Sequence, residues 1–202
     1  LKGETVDGHQ YIEQAREAGA VGMVAETVAP EPCDFPWVQV RDSREALARA
    51  AAAMQGHPSK GLRVAGVTGT NGKTTVAFLL HYLLKRVQHY AGMLGTVHYD
   101  VGSEYRKATH TTPESVEIQS LLAEMRDAGC RSAVMEVSSH ALSQHRVDSV
   151  LFDAGIFTNF TQDHLDYHKT MDAYFEAKAL LGELLVNQGG KKKPVFVINK
   201  DD

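Results

Sequence analysis

At 202 residues and 43% hydrophobic content, the chain suits one large globular domain or two small ones and is too apolar to stay disordered. A net charge of -4, from 21 Lys and Arg against 25 Asp and Glu, leaves no basic face for nucleic acid, and the run Lys191, Lys192, Lys193 is expected to decorate a solvated loop. Cys33 and Cys130 alone cannot build a disulfide framework, and no apolar run reaches the roughly 18 residues of a membrane span, so a cytoplasmic chain without membrane partners is expected.

In chain order, residues 1 to 54 read as a small α/β unit. A helix around "GHQYIEQAREAG" precedes a strand in "AVGMVAE", a Pro-rich bend, a strand "WVQV" and a helix "SREALARAAAAM" capped by Asp42 or Ser43. The run "QGHPSKG", residues 55 to 61, has the composition of a linker, which sets a boundary near residue 58. Beyond it, apolar strand-like runs alternate with helical periodicity: "LRVAGVT", a helix from Thr74, "AGMLGTV", "SVEIQSLLAEMRDAG", "SAVMEVS", "FDAGIFTN", "MDAYFEAKALLGELL" and "PVFVIN". This predicts an α/β fold, a mostly parallel sheet with helices on both faces, interrupted by a hairpin turning near Gly102. Ligands of such sheets bind at the carboxyl ends of the strands.

Three features fall at those ends. "TGTNGKTT" follows a strand and opens a helix, so Gly69, Thr70, Asn71, Gly72 and Thr75 can offer backbone N–H groups to phosphate oxygens. Lys73 would reach the terminal phosphates and Thr74 would offer its hydroxyl to Mg²⁺. The standard loop has glycine six residues ahead of the lysine, where this chain has Val67. A dinucleotide fingerprint competes for the same turn, but it has no use for a lysine beside its last glycine. The second feature is Glu136, a carboxylate at the tip of an apolar run and placed to hold the metal of a nucleotide; a capping or salt-bridged residue is the plainer alternative. The third is "QDHLDYH", where Asp163, His164, Asp166 and His168 could supply metal or phosphate contacts or serve as hydrogen-bonded structural groups.

Lys178 shares a helical stripe with Tyr174, Leu181 and Leu185, at spacings of four, three and four, on the face that packs inward. Either it snorkels to solvent, or burial lowers its pKa enough for the amine to react with CO₂ and form a carbamate able to bind Mg²⁺.

The runs "GVTGTNGKTT", "THTTPES", "MEVSSHALSQHRVD", "FTNFTQDHLDYH", "AYFEAKALL" and "VINKDD", in this order, resemble the Mur ligase family of peptidoglycan synthesis, whose members carry T-G-T-N-G-K-[ST] in place of the standard loop. The resemblance covers essentially the whole chain. It implies residues 1–58 as part of a UDP-substrate-binding domain, residues 59–202 as part of an ATP-binding central domain, and an amino-acid-binding C-terminal domain outside this chain. "THTTP" with "EVSSHALSQHR" is similar to the member that uses ATP to join a diamino acid to UDP-N-acetylmuramoyl-L-alanyl-D-glutamate through an acyl phosphate. That likeness implies a monomer that binds ATP and Mg²⁺. Lys73 and the loop would hold the β- and γ-phosphates, with Thr74 and Glu136 on one Mg²⁺. His164 and N-carboxylated Lys178 would join Glu136 at a second. Thr111, Thr112, Ser138, Gln144 and Arg146 would contact the muramoyl dipeptide, and Glu4, Thr5 and Val6 the uridine end. Arg146 suits a substrate carboxylate or phosphate, its other reading being an ion pair with a nearby aspartate.

Phe160 and Gly182 depart from the family's leucine and bulky aromatic, and the glycine is expected to weaken its helix by about 1 kcal/mol and remove a packing group. The 202-residue chain alone is expected to be inactive, and the identity of the added amino acid lies outside it. Two rivals stand: a sister amide ligase of the folylpolyglutamate synthetase kind, and a non-catalytic nucleotide-binding fragment.

Overall fold

The computed structural model describes residues 6–88, 90–187, 191 and 193–201. By contacts the chain divides between Leu47 and Ala48, earlier than the Gly- and Pro-containing run at 55–61. That run is no loose tether: Pro58 and Ser59 are buried in a short 3-10 helix, Ser59 Oγ accepts from Leu151 N at 3.1 Å, and Arg126 Nη1 donates to Gln55 O at 3.0 Å.

In the first unit a 3-10 turn, Gly8–Tyr11, leads into helix α1 (Ile12–Glu17). Strands β1 (Met23–Ala25) and β2 (Trp37–Gln39) pair in parallel, with Met23 opposite Trp37. Helix α2 (Ser43–Met54) starts here, and Asp42 is its cap: Oδ1 accepts from Arg44 N at 2.8 Å and Glu45 N at 2.9 Å. Ser43 is instead held by Glu26 Oε1, which accepts from its amide and its hydroxyl.

The second unit is built on β3 (Arg63–Thr68), β4 (Ala91–Leu94), β5 (His98–Asp100), β6 (Tyr105–Lys107), β7 (Ser132–Glu136), β8 (Ala154–Phe157) and β9 (Val195–Ile198), ordered β6-β5-β4-β7-β3-β8-β9. β4, β7, β3, β8 and β9 run parallel, and β5 and β6 form the expected antiparallel hairpin. The helices are α3 (Lys73–Gln88), α4 (Ser115–Asp127), α5 (Ser139–Ser143), α6 (Leu165–His168) and α7 (Met171–Asn187).

Alternation along each strand makes two apolar layers. Val64, Ala133, Met135 and Leu94 pack with Ile118, Leu122 and Met125 of α4 and Leu181 and Leu185 of α7. Val67, Met93 and Val134 point the other way, onto Ala77 and its neighbours on α3. Helices therefore cover both faces, as a parallel sheet requires. Gly182 is not a lost packing group: a Cβ there would stand 3.2 Å from Phe196 Cε1, so its bareness admits the β9 ring. Phe160 sets its ring against Tyr174 and Phe175 at 5.3 and 5.4 Å. Lys191 is not a solvated decoration either; its ammonium pairs with Asp153 at 3.0 Å. Among the described residues no helix is long and apolar enough to cross a membrane, Cys33 is exposed, and Cys130 is buried.

Candidate functional site

Because β3, β4, β7 and β8 run parallel, their carboxyl ends meet at one edge of the sheet. Loop 69–72 follows β3, Gly95 and Thr96 follow β4, Ser138 follows β7, and Thr158 and Asn159 follow β8. The loop after β3 is pinned by the segment after β8. Asn71 N donates to Asn159 Oδ1 at 2.8 Å, and Asn71 O accepts from Thr158 Oγ1 at 2.6 Å and Asn159 Nδ2 at 3.0 Å. Thr70 Oγ1 donates to Thr161 O and accepts from Thr161 N and Tyr174 Oη. Only glycine fits at 69: φ is 136° and a Cβ would stand 2.0 Å from Thr158 Oγ1.

Lys73 opens α3 and turns its ammonium back on the loop, donating to Gly69 O at 2.9 Å and Thr70 O at 2.8 Å. Burial lowers its pKa, against the pull of Glu136 and Asp163. Lys178 approaches the same carbonyl from α7, its Nζ 2.8 Å from Gly69 O and 4.5 Å from the centre of the Tyr174 ring. It is 1% exposed, so the snorkelling alternative fails. Burial first, and the neighbouring Lys73 second, bring its pKa down to about 7.

Glu136 is wholly buried at the tip of β7, and among the described residues it forms no salt bridge. Its Oε2 accepts from Thr74 Oγ1 at 2.8 Å, with Thr96 Oγ1 at 3.2 Å, and its Oε1 accepts from Thr96 N at 2.9 Å. Gly95 makes room for it, since a Cβ there would lie 2.5 Å from Oε1. Thr111 Oγ1 lies 3.1 Å from Thr96 Oγ1. Thr112 Oγ1 donates to Glu136 O at 2.9 Å and accepts from Ser138 N at 3.0 Å. Arg146 spreads its fork over Thr112 O, Gln144 Oε1 and Glu114 Oε1, the last at 2.8 Å, so its acidic partner is a glutamate rather than an aspartate.

The His and Asp cluster separates. His164 sits at φ 50°, in the left-handed region, with its ring 5.0 Å from that of His140. His168 turns inward, 8% exposed, with Nε2 2.9 Å from Ser139 Oγ; burial, then the neighbouring imidazoles, lower its pKa, as for a structural imidazole. Asp163 and Asp166 stay exposed. Among the described residues no three His, Cys, Asp or Glu side chains stand close enough to hold a metal ion by themselves.

Lys73, Lys178, His164, Arg146, Thr111, Thr112 and Ser138 border one cleft of about 330 Å³, together with His110, Ser139 and His140, which sequence reasoning passed over. Gln144 joins through Arg146. Gly72 and Thr75, in the loop and the first turn of α3, are exposed. Val6 is an exposed residue of the first unit, and Glu4 and Thr5 lie outside the described residues. The cleft joins a phosphate-type loop, two lysines and an arginine to a buried carboxylate behind Thr74 and Thr96. That arrangement can hold a polyanion and neutralise charge that develops beside it.

The sequence pattern described as the Mur ligase middle domain matches residues 67–202, and that described as the Mur ligase family catalytic domain matches residues 1–55. The UDP-N-acetylmuramoyl-L-alanyl-D-glutamate--2,6-diaminopimelate ligase of Geobacter sulfurreducens is 49% identical over 203 residues, covering 100% of this chain and 40% of that protein. A solved structure of a ligase of the same name superposes with a TM-score of 0.78 at 30% identity, over 96% of this chain and 38% of that one. Folylpolyglutamate synthase of Mycobacterium tuberculosis, complexed with ADP and AMPPCP, shares the fold at a TM-score of 0.60 and 18% identity, over 77% of this chain and 41% of that one. The chain thus spans about 40% of the length of the relative it matches at 49% identity.

Proposed function

This chain belongs to the Mur ligase family, and from that premise we propose that it is part of a cytoplasmic ATP-dependent ligase that joins a diamino acid to UDP-N-acetylmuramoyl-L-alanyl-D-glutamate. One observation carries the reading: the phosphate-type loop, Glu136, Lys178 and the wall formed by Thr111, Thr112, Ser138 and Arg146 converge at one edge of the sheet. The name of the 49% identical relative supports the substrate. Activity belongs to the whole protein, of which this chain is part.

In this mechanism a substrate carboxylate oxygen attacks the γ-phosphorus of ATP and ADP leaves, giving an acyl phosphate. The amine of the diamino acid then attacks the acyl carbon, inorganic phosphate leaves, and the amine loses a proton as the amide forms. The carboxylate and the triphosphate repel each other, and Lys73 and the loop amides offset that repulsion. Arg146 and the Thr111–Thr112 wall hold the acceptor in line, where positioning carries much of the remaining barrier.

The residues fit a magnesium ion. The Thr74 hydroxyl and Glu136 carboxylate form the two-ligand set that Mg²⁺ takes beside phosphate oxygens and water, and bound there it would add charge neutralisation. A second ion needs Lys178 as an anion. At a pKa near 7 a large share of the amine is neutral at physiological pH. It can then bond to CO₂, releasing one proton and leaving a carbamate whose remaining N–H can keep Gly69 O as its acceptor. His164 and Glu136 would complete that set. Val6, with Glu4 and Thr5, is assigned to the uridine end.

The test is phosphate release from ATP by the full-length protein, given UDP-N-acetylmuramoyl-L-Ala-D-Glu with and without diaminopimelate or lysine. Release that requires the dipeptide and one diamino acid supports the reading and fixes the amino acid. Release with a folate acceptor alone would move the protein to the sister ligases, and no release with any acceptor to the non-catalytic class. Lys178→Ala should lose most activity and regain part of it with short-chain carboxylates; a loss that carboxylate cannot relieve would remove the carbamate.

A further inference from the structure

The cleft wall depends on a residue that does not touch the cleft. After β6 ends at Lys107 the chain runs through Ala108 to Pro113 outside any strand or helix, yet it carries His110, Thr111 and Thr112 to the cleft. A segment without a ladder must find partners for its backbone groups elsewhere. One side chain serves both groups of His110. Tyr99, on β5 and 2% exposed, accepts from His110 N at 3.1 Å through its phenol oxygen and lies 2.8 Å from His110 O, to which it donates. Thr109 Oγ1 stands 3.2 Å from the Tyr99 phenol oxygen. The phenol thus acts as a one-residue substitute for a neighbouring strand.

We infer that Tyr99 is a positioning residue for substrate: its hydroxyl fixes the His110 backbone and so sets where the Thr111–Thr112 wall stands. This rests on the reading of that wall as the acceptor's binding surface. Two fixed points bracket the wall. At one end is the phenol on His110, and at the other Thr112 Oγ1, held by Glu136 O and Ser138 N. Thr111 lies between them, its hydroxyl 3.1 Å from that of Thr96. Without the phenol oxygen the segment loses its tie at His110 and keeps those at Thr111 and Thr112, and both His110 groups must turn to water or go unpaired. The ring of Tyr99 packs in the main apolar cluster, so a phenylalanine keeps the core and removes only the latch.

Tyr99→Phe in the full-length protein tests this with two readouts. Hydrogen exchange at the His110 amide should quicken about tenfold, while core amides such as Val134 keep their protection. KM for the muramoyl dipeptide should rise about fivefold or more, with KM for ATP within about twofold of wild type. Tyr105→Phe, which removes a hydroxyl from the adjacent strand, should change neither. A folded Tyr99→Phe protein with wild-type His110 exchange and wild-type dipeptide KM overturns the inference. So does a uniform rise in exchange across the sheet, which would make the hydroxyl a stabilising group alone. If wild type does not use the dipeptide, the proposed function fails by itself, and His110 exchange still decides whether the latch exists.

Discussion

Replacing Lys178 by methionine should make the protein's stability respond differently to pH. In the folded chain this amine is 1% exposed and its pKa is lowered to about 7, against an ordinary value of 10.5. Above pH 7 the folded chain has released the proton, while the unfolded chain keeps it until near 10.5. The unfolded state then binds more protons, so stability rises with pH through that window, and the burial cost is fully present below 7. The slope from this one group is about 1.4 kcal/mol per pH unit, or about 5 kcal/mol across the whole interval. Lys178→Met has no proton to exchange and lacks that slope. Urea unfolding of both proteins in CO₂-free buffer between pH 7 and 9.5 measures it. The advantage of the methionine variant over wild type should shrink steadily as pH rises. Parallel stability curves would show that Lys178 titrates normally, and the argument for a reactive amine would fall with it.

Lys73→Ala in the full-length protein should abolish ATP-dependent turnover and leave binding of the UDP-linked substrate intact by calorimetry; an active variant would overturn the assignment of the loop. Gly95→Ala puts a methyl 2.5 Å from Glu136 Oε1 and pushes the carboxylate off Thr74 and Thr96. Magnesium-dependent nucleotide affinity should fall about tenfold or more, equivalent to about 1.4 kcal/mol, and wild-type affinity would show that this carboxylate does not hold the metal. Asp42→Ala removes the acceptor for Arg44 N and Glu45 N and should cost about 1 kcal/mol in urea unfolding. No loss there would mean that the cap is satisfied by water.

The sequence carried most of the second unit because its signals are local. The stripe of Tyr174, Lys178, Leu181 and Leu185 is a statement about one helix, and all four are buried on α7. Lys73 and Thr74 declare themselves by spacing within one turn. What was not legible lies between segments distant in the chain. Nothing in "LGT" says that Thr96 reaches Glu136 across forty positions, because that bond exists only once β7 lies beside β4. The latch from Tyr99 to His110 has the same origin in the fold of a hairpin. α5 and α6, of five and four residues, are too short for periodicity to register, and their packing decides that His168 points inward while His164 faces the cleft. Composition at 55–61 did not reveal that the run is packed: Gly and Pro mark a turn, and a turn can be buried.

Two amines sharing one carbonyl set a threshold for any ligand. Whatever draws the Lys73 ammonium outward must first replace Gly69 O and Thr70 O, charge-assisted bonds worth roughly 1.5–3 kcal/mol each. That deduction is the same for every anion and does not scale with its charge, whereas the return does. If the loop holds ATP as proposed, it would favour an anion that concentrates charge, such as a chain of phosphates, over a single small one.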